Sequence, residues 1–182
     1  LHKMKEKLNA EAAYLEVEFP YFIEKRAPIS RAKSLMEYTC TFRASLKNGK
    51  QSLIVGVQVP VNTVCPCSRE ISSKGAHNQR STVRVQVKFR KFFWLEDLIQ
   101  LIEGSASAPV YSLLKRSDEK FITERGYENP MFVEDVVRNV ALRLDRHPNI
   151  TWYQIESENY ESIHNHNAYA FVEKANRRSP RT

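Results

Sequence analysis

The sequence predicts an α+β fold in which an antiparallel sheet carries helices on one face. Residues 35–46 alternate approximately between apolar and polar side chains, and the pair Asn48-Gly49 separates them from a second predicted strand over residues 52–64. An Asn-Gly pair supplies the two positive φ angles of a type I′ turn, so these segments are expected to form a hairpin. Valine or phenylalanine alternates with basic residues and glutamine through residues 83–89, which is typical of a half-buried strand with a basic outer face.

Two predicted helices cover this sheet. Residues 94–102 have helical composition, and an apolar stripe at helical spacing runs through residues 132–144, with Pro130 at the first helical position. A sheet covered on one face only leaves its other face open. Such a sheet often completes its burial by joining its neighbours, so we expect an oligomer.

The remaining elements complete the order of the fold. We predict a helix from residue 1 to about residue 16, because apolar residues recur there every three to four positions. The other predicted elements are a short helical piece from Pro109 and final strands over residues 150–155 and 168–172.

The composition restricts the class of protein. Of 182 residues, 42% are hydrophobic and 27% are charged, which is the balance of a soluble globular protein. No apolar run approaches the roughly 18 residues of a transmembrane helix, and the first residues lack the apolar core of a signal peptide. Three cysteines, an odd number, argue against a disulfide framework and for a reducing compartment. We therefore expect a cytoplasmic protein with no membrane partner.

The formal net charge is +7. It is compatible with a solvated basic surface or with an anionic ligand. The basic residues are spread along the chain, whereas a nucleic-acid groove more often alternates basic residues with exposed aromatic ones. We therefore expect no nucleic-acid partner, and a small polyphosphate fits the charge at least as well.

The strongest chemical signal is a group of two cysteines and one histidine. Cys65 and Cys67 flank Pro66, and His77 follows ten residues after Cys67. Thiolate and imidazole are preferred donors for zinc, and three donors leave the open position that a catalytic metal requires. Two buried thiols with a loop histidine, or a redox pair of cysteines, are the alternatives.

A second signal is the dense charge of residues 114–120. This segment offers Asp118 or Glu119 as a carboxylate ligand, next to cations of the kind that hold phosphates. A solvated loop explains the same pattern.

A third signal is the carboxylate pair Glu134 and Asp135, in the first turns of a predicted helix. Negative charge is favourable at this end of a helix, which is the structural explanation. A carboxylate there can also accept two parallel hydrogen bonds, and guanine offers such a pair of donors in its ring N–H and exocyclic amine.

A fourth signal combines Glu161, His164 and His166. We predict that His164 and His166 lie on a strand and face the same side. Glu161 is three residues before His164, where it is placed to orient the imidazole for proton transfer near neutral pH. A metal-binding histidine pair or a polar strand edge are the alternatives.

Together these motifs resemble those of GTP cyclohydrolases of type IB, and the resemblance covers essentially the whole chain from residues 19–22 to the end. The motifs that carry it are residues 65–72, 75–81, 114–120, 129–135 and 161–166. The resemblance implies the tunnelling fold, in which antiparallel sheets with paired helices assemble into barrels through subunit contacts.

The resemblance also implies a set of metal ligands. These are Cys65, His77 and Glu119, with Cys67 as a nearby thiol or an alternative ligand. The implied cofactor is Zn²⁺ or Mn²⁺, with Fe²⁺ as a further option.

Roles toward the substrate follow in the same way. Glu134 is the implied guanine-binding carboxylate, and Glu161 and His164 are the implied proton-handling pair that acts with Cys65 and Cys67. The basic residues expected to hold the triphosphate are Arg80, Lys115, Arg116 and Lys120.

The implied reaction is the hydrolytic opening of GTP to 7,8-dihydroneopterin triphosphate and formate, the first step of folate and, in bacteria, queuosine biosynthesis. The implied assembly is a homotetramer with active sites at subunit interfaces. Members are usually longer, so we expect residues 1–50 to be a shortened N-terminal module and residues 51–182 to be the C-terminal module with the metal site. A related archaeal cyclohydrolase with a cyclic-phosphate product and a non-catalytic nucleotide- or pterin-binding module are the alternatives.

Overall fold

A computed structural model describes residues 1–175 of the chain. The strands are β1 (Ala12–Arg26), β2 (Lys33–Lys47), β3 (Lys50–Val64), β4 (Asn78–Phe89), β5 (Ala108–Pro109), β6 (Ile150–Asn159) and β7 (Ala168–Ala175). The helices are α1 (His2–Lys7), α2 (Pro66–Ile71), α3 (Leu95–Glu103), α4 (Arg116–Glu128) and α5 (Val133–Arg146).

One antiparallel sheet runs in the order β1-β2-β3-β4-β6-β7, and the short β5 pairs with β3. Helix α3 packs on β3, and α5 packs on β6 and β7 and touches α3. Alternate side chains of the central strands face these helices and form the core, which includes Val57, Val59, Val83, Val85, Val87, Ile155, Ile99, Ile102, Val136, Val140 and Leu144. The predicted α+β class, with helices on one face of an antiparallel sheet, is confirmed.

The predicted hairpin between β2 and β3 is also confirmed. Asn48 has φ 51° and Gly49 has φ 73°, as a type I′ turn requires. The paired strands extend from this turn over residues 39–58.

The predicted helix over residues 1–16 is wrong beyond its first turns. Helix α1 ends at Lys7, and β1 begins at Ala12. All fifteen residues of β1 pair with β2, and Phe19, Tyr21 and Ile23 of β1 pack against the hydrophobic core. Tertiary pairing therefore outweighs the weak helical spacing. Pro20 lies inside β1, which is tolerated because β1 is an edge strand and need not donate a ladder hydrogen bond there.

Three further elements differ from the sequence prediction. Pro109 belongs to β5 and starts no helix. The charged segment 114–120, for which a solvated loop is one of two interpretations, forms the first part of α4, and α2 begins directly after Cys65. Helix α5 begins at Val133, three residues later than the position predicted from Pro130.

Helix α4 begins at a buried carboxylate. Asp118 is 0% exposed and accepts hydrogen bonds from the amides of Ile29, Ser30 and Lys115 and from the hydroxyl of Ser30, at 2.6–2.8 Å. Burial alone disfavours the charged form, but these hydrogen bonds outweigh it and lower the pKa of Asp118. Asp118 is therefore an anchor that ties α4 to the β1–β2 connection.

The predicted division into two modules at residue 50 stays a prediction. Residues on both sides of it contribute to one continuous sheet through the β2–β3 pairing. Residues 176–182, which the sequence assigns to the second module, lie outside the described residues.

No helix within residues 1–175 is long and apolar enough to span a membrane.

The sheet topology brings three chain segments to one end. Strand β3 ends there, β4 begins there and β6 ends there, because both strand pairs are antiparallel. Residues 65–77 and 160–167 therefore connect at the same edge of the fold, and this edge carries the candidate site.

Candidate active site

Cys65 lies where β3 passes into α2. Its side chain caps α2, with Sγ accepting a hydrogen bond from the amide of Ser68 at 3.5 Å, and Pro66 is the first helical residue. Proline is favoured at that position because its missing N–H would have no helical partner. Cys65 is half-buried, whereas Cys67, one residue further into α2, is exposed.

His77 lies opposite Cys65, one step beyond the last register pair of β3 and β4. The amide of Cys65 donates to the carbonyl oxygen of His77 at 3.1 Å. The amide of His77 in turn donates to Ser68 Oγ at 3.1 Å. The sequence prediction that Cys65 and His77 act together is thus matched by their adjacency, although their metal role stays a prediction.

The loop between β6 and β7 approaches His77. His77 Nδ1 lies 3.1 Å from Ser162 Oγ. The His164 ring stands 6.5 Å from the His77 ring, and the His166 ring is 5.3 Å from that of His164. His164 and His166 belong to this loop and not to a strand, so the predicted strand placement is wrong, because β6 ends at Asn159 and β7 starts at Ala168.

Glu134 lies near the same edge of the sheet. It is exposed in the first turn of α5, as predicted. The segment before α5 is fixed to the end of β3, because the amide of Met131 donates to the carbonyl oxygen of Val64 at 3.0 Å. Glu161, two residues after the end of β6, is half-buried.

Glu119 lies at the other end of α4 from the cysteine segment. Gly126 of α4 packs against Val64, next to Cys65, and Glu119 precedes Gly126 by two helical turns, about 10 Å along the axis. Glu119 is exposed and pairs with Arg116 at 3.3 Å. Within residues 1–175, no three His, Cys, Asp or Glu side chains lie close enough together to hold a metal ion. One copy of the chain therefore brings Cys65 and His77 together, but not Glu119.

The basic residues predicted to hold phosphates occupy two places. Arg80 is exposed at the start of β4, near the candidate site. Lys115, Arg116 and Lys120 lie at the start of α4, with Glu119, and Lys120 also lies 3.8 Å from Glu124. The structure therefore separates Arg80 from the other three.

Sequence reasoning missed two serines of the site. Ser68 holds both Cys65 and His77, and its position three residues after a helix-capping side chain is a signal that the sequence contains. Ser162 contacts a histidine 85 residues away, and no local pattern indicates that contact.

Comparison with solved structures identifies the fold. The urate oxidase of Bacillus sp. TB-90 superimposes with a TM-score of 0.52 at 10% identity, covering 96% of this chain and 69% of that one. A highly active BTUO mutant gives a TM-score of 0.55 at 9% identity, covering 96% and 68%. At such identities the likeness shows the fold alone, an α+β antiparallel sheet of the kind found in these urate oxidases.

Comparison of sequences gives the class of protein, which is that of the GTP cyclohydrolases. GTP cyclohydrolase FolE2 of Syntrophus aciditrophicus is 66% identical over 174 residues, covering 96% of this chain and 68% of the relative. The protein of the same name from Citrifermentans bemidjiense is 61% identical over 175 residues, covering 96% and 65%. The chain thus spans about two thirds of the length of these relatives.

Residues 1–170 match the family described as type I GTP cyclohydrolase folE2. The chain belongs to this family. Membership confirms the predicted class of enzyme, a hydrolase that acts on GTP, and agrees with GTP cyclohydrolase I activity in folate biosynthesis. The subtype IB is a finer assignment than the family description, which names type I and FolE2.

Proposed function

We propose that the protein containing this chain opens the imidazole ring of GTP by hydrolysis and yields 7,8-dihydroneopterin triphosphate and formate, at the entry to folate and queuosine biosynthesis. The observation that carries this proposal is the adjacency of Cys65 and His77, together with the β6–β7 loop that places the His164 ring 6.5 Å from the His77 ring. In the overall reaction two waters are consumed, one in ring opening and one in releasing formate. One water is lost when the pterin ring closes.

The donor types fit a divalent metal. A thiolate, an imidazole and a carboxylate are suitable for Zn²⁺, and Mn²⁺ or Fe²⁺ are further candidates. We assign Cys65 and His77 as two ligands, with Cys67 as the alternative thiolate. When bound, the ion supplies Lewis acidity for the hydrolysis.

The surroundings of Cys65 and His77 suit these roles. The Ser68 amide that donates to Cys65 Sγ holds the sulfur at the start of α2, facing the turn that leads to His77. Metal ligation through His77 Nε2 requires the proton on Nδ1, and Ser162 Oγ at 3.1 Å is the acceptor for it. The Ser162 hydroxyl can accept from a protonated Nδ1 or donate to an unprotonated one, so the contact orients the His77 ring and is compatible with metal ligation.

The third ligand, Glu119, is assigned to a neighbouring copy of the chain. The reason is its separation from Cys65 along α4, together with the open sheet edges at β1 and β7. We also propose that four copies of the chain assemble into a tetramer and that their sheets join into a tunnelling-fold barrel. The subtype IB is part of the same proposal. An active site shared between copies follows from it.

A mixing experiment tests the shared site. The variants Cys65→Ala and Glu119→Ala should each be inactive alone, and reassembled mixtures should regain part of the activity. Mixed oligomers then contain some sites with both intact residues. Mixtures that stay inactive, although exchange of subunits is demonstrated, would place both ligands in one copy.

The substrate roles follow from position. Glu134, exposed at the start of α5, is proposed to accept the two guanine donors. His164 is proposed to protonate N7 of the purine as the ring opens, with Glu161 orienting it. The triphosphate is assigned to Arg80 from one copy and to Lys115, Arg116 and Lys120 from the copy that supplies Glu119.

The direct test uses metal-stripped protein and GTP, with and without Zn²⁺ or Mn²⁺. Formate is quantified, and neopterin fluorescence is read after oxidation and dephosphorylation. Metal-dependent formation of both supports the proposal. A cyclic-phosphate product would indicate the archaeal type of reaction. Tight GTP binding by folded, metal-loaded protein without formate release would indicate a binding module.

A further inference from the structure

Three buried polar side chains form a hydrogen-bonded row next to the strand ends that carry the proposed site, and the proposed chemistry does not use them. Thr63 on β3, Ser81 on β4 and Asn159 on β6 are 0%, 0% and 2% exposed. Ser81 is paired with Asn159 in the β4–β6 register, and Thr63 is its diagonal neighbour on β3. The three side chains therefore cross three strands on the helix-facing side of the sheet.

The hydrogen bonds of this row all point from Thr63 toward Asn159. Ser81 Oγ donates to Asn159 Oδ1 at 2.6 Å. A hydroxyl has one proton, so Ser81 must accept in its contact with Thr63 Oγ1 at 2.9 Å, and Thr63 is the donor. Ser81 is the middle member, and its loss would break both contacts.

Each member is close in sequence to a residue of the proposed site. Cys65 follows Thr63 by two residues, His77 precedes Ser81 by four, and Glu161 follows Asn159 by two. Two backbone hydrogen bonds lie between these three side chains and the proposed site. The amide of Cys65 donates to the carbonyl of His77 at 3.1 Å, and the amide of Tyr160 donates to the carbonyl of Arg80 at 2.9 Å.

The contrast with the next positions on the same face is informative. One row toward the centre, Val83 is paired with Val59 on β3 and with Ser157 on β6, and the row after that carries Val57, Val85 and Ile155, all of them buried. Apolar packing is non-directional, whereas a hydrogen bond restricts both distance and angle. Polar groups therefore replace apolar ones where the strand ends that carry the site are held together.

We propose that Ser81 is a positioning residue for the active site, whose hydroxyl fixes the spacing of the strand ends that carry Cys65, His77 and Glu161. This inference rests on the proposed function for its catalytic consequence. Ser81→Ala leaves a buried donor on Thr63 and a buried acceptor on Asn159 without their partner, which is costly where water has no access. The strand ends are therefore expected to shift so that the Thr63 hydroxyl and the Asn159 carbonyl find other partners.

The first test is amide hydrogen exchange under native conditions, which requires neither metal nor activity. The matched control is Ser105→Ala, because Ser105 is 1% exposed and its hydroxyl donates to the carbonyl of Leu101 at 2.7 Å in α3, away from the site. We expect the amides of Cys65 and Tyr160 to exchange about tenfold faster or more in Ser81→Ala, and at the wild-type rate in Ser105→Ala. Unchanged exchange in Ser81→Ala overturns the inference.

The second test is kinetic. In Ser81→Ala, kcat for formate release should fall about tenfold, a larger factor than the rise in KM for GTP, because the strand ends carry Cys65, His77 and Glu161 but only one proposed substrate contact, Arg80. Ser105→Ala should keep the wild-type kcat. An unchanged kcat in Ser81→Ala also overturns the inference.

The two proposals fail in different ways. Absence of formate release by the wild-type protein contradicts the proposed function, and the exchange comparison still decides the role of Ser81. Should Ser81→Ala not fold, Thr63→Val keeps the shape of the side chain and the Ser81–Asn159 bond. It should shift the exchange of the Cys65 amide in the same direction by less, and the wild-type rate there would overturn the inference.

Discussion

The guanidinium of Arg69 stacks on the ring of Tyr127, with its central carbon 4.8 Å from the ring centroid. This contact joins α2, which begins next to Cys65, to the last turn of α4. Glu119 precedes Tyr127 by eight residues, about 12 Å along the helix axis. The same contact that holds α4 beside the cysteine segment therefore keeps Glu119 away from it.

Metal retention should distinguish the two cysteines. Cys65→Ala and His77→Ala are each expected to lose bound zinc or manganese after dialysis, because each removes a proposed ligand that the local structure holds in place. Cys67→Ala is the control, since Cys67 is exposed, whereas the hydrogen bonds of Ser68 go to Cys65 and His77. Elemental analysis measures the result, and full metal content in Cys65→Ala with loss in Cys67→Ala would reverse the assignment.

Glu134→Gln should weaken GTP binding more than metal binding. One acceptor oxygen becomes a donor that faces guanine donors, which costs on the order of 2 kcal/mol, or about thirtyfold in Kd. Asp135→Asn is the control, because Asp135 accepts from the Phe132 amide at 3.0 Å and caps the helix. It should lower thermal stability and leave GTP affinity intact in calorimetric titration. An unaltered GTP affinity in Glu134→Gln argues against its role.

Gly56 should not tolerate a side chain. A Cβ on Gly56 would overlap Oγ1 of Thr41, its partner on β2. Gly56→Ala is therefore expected to lower the free energy of unfolding by about 1–3 kcal/mol. The double variant Gly56→Ala/Thr41→Ala should recover most of that loss. Denaturant unfolding of all four proteins measures the coupling energy, and additive effects would exclude the overlap as the cause.

Cys40 should react with a thiol reagent more slowly than Cys65 and Cys67. Burial, and secondarily the charge of Glu96, raise the pKa of Cys40 to about 11 from an ordinary value of 9.0. At about pH 8 a thiol reagent should label Cys65 and Cys67 quickly, and Cys40 only on unfolding. Because the folded-state pKa is raised, the stabilisation by the neutral thiol is complete below pH 9 and is lost as the pH rises toward 11. Cys40→Ala should give the same number of fast thiols, and a third fast thiol in the wild-type protein would contradict this prediction.

Strands with clear alternation could be predicted from the sequence, and elements fixed by tertiary contacts could not. The β2–β3 hairpin was predictable because Asn48-Gly49 restricts the turn locally. Helix α4 was missed because its buried residues are Asp118 and Gly126, neither of which contributes to an apolar stripe. Asp118 is buried only because the β1–β2 connection supplies its hydrogen bonds.

The same distinction between local spacing and tertiary contacts applies to the candidate site. The spacing of Cys65 and His77 in the sequence indicates a shared role, since both flank one short connection between adjacent strands. The approach of His164 and Ser162 to His77 depends on the β4–β6 pairing, which joins segments about 80 residues apart. The separation of Glu119 from Cys65 depends on how α4 lies, and sequence spacing carries no information on that.

Pro20 interrupts the outer edge of β1. It has no N–H to offer, so an incoming strand that follows this edge loses one hydrogen bond near the middle of β1. Uninterrupted edges are templates for indiscriminate stacking of chains into fibrils. The missing N–H at Pro20 makes such stacking along β1 less favourable.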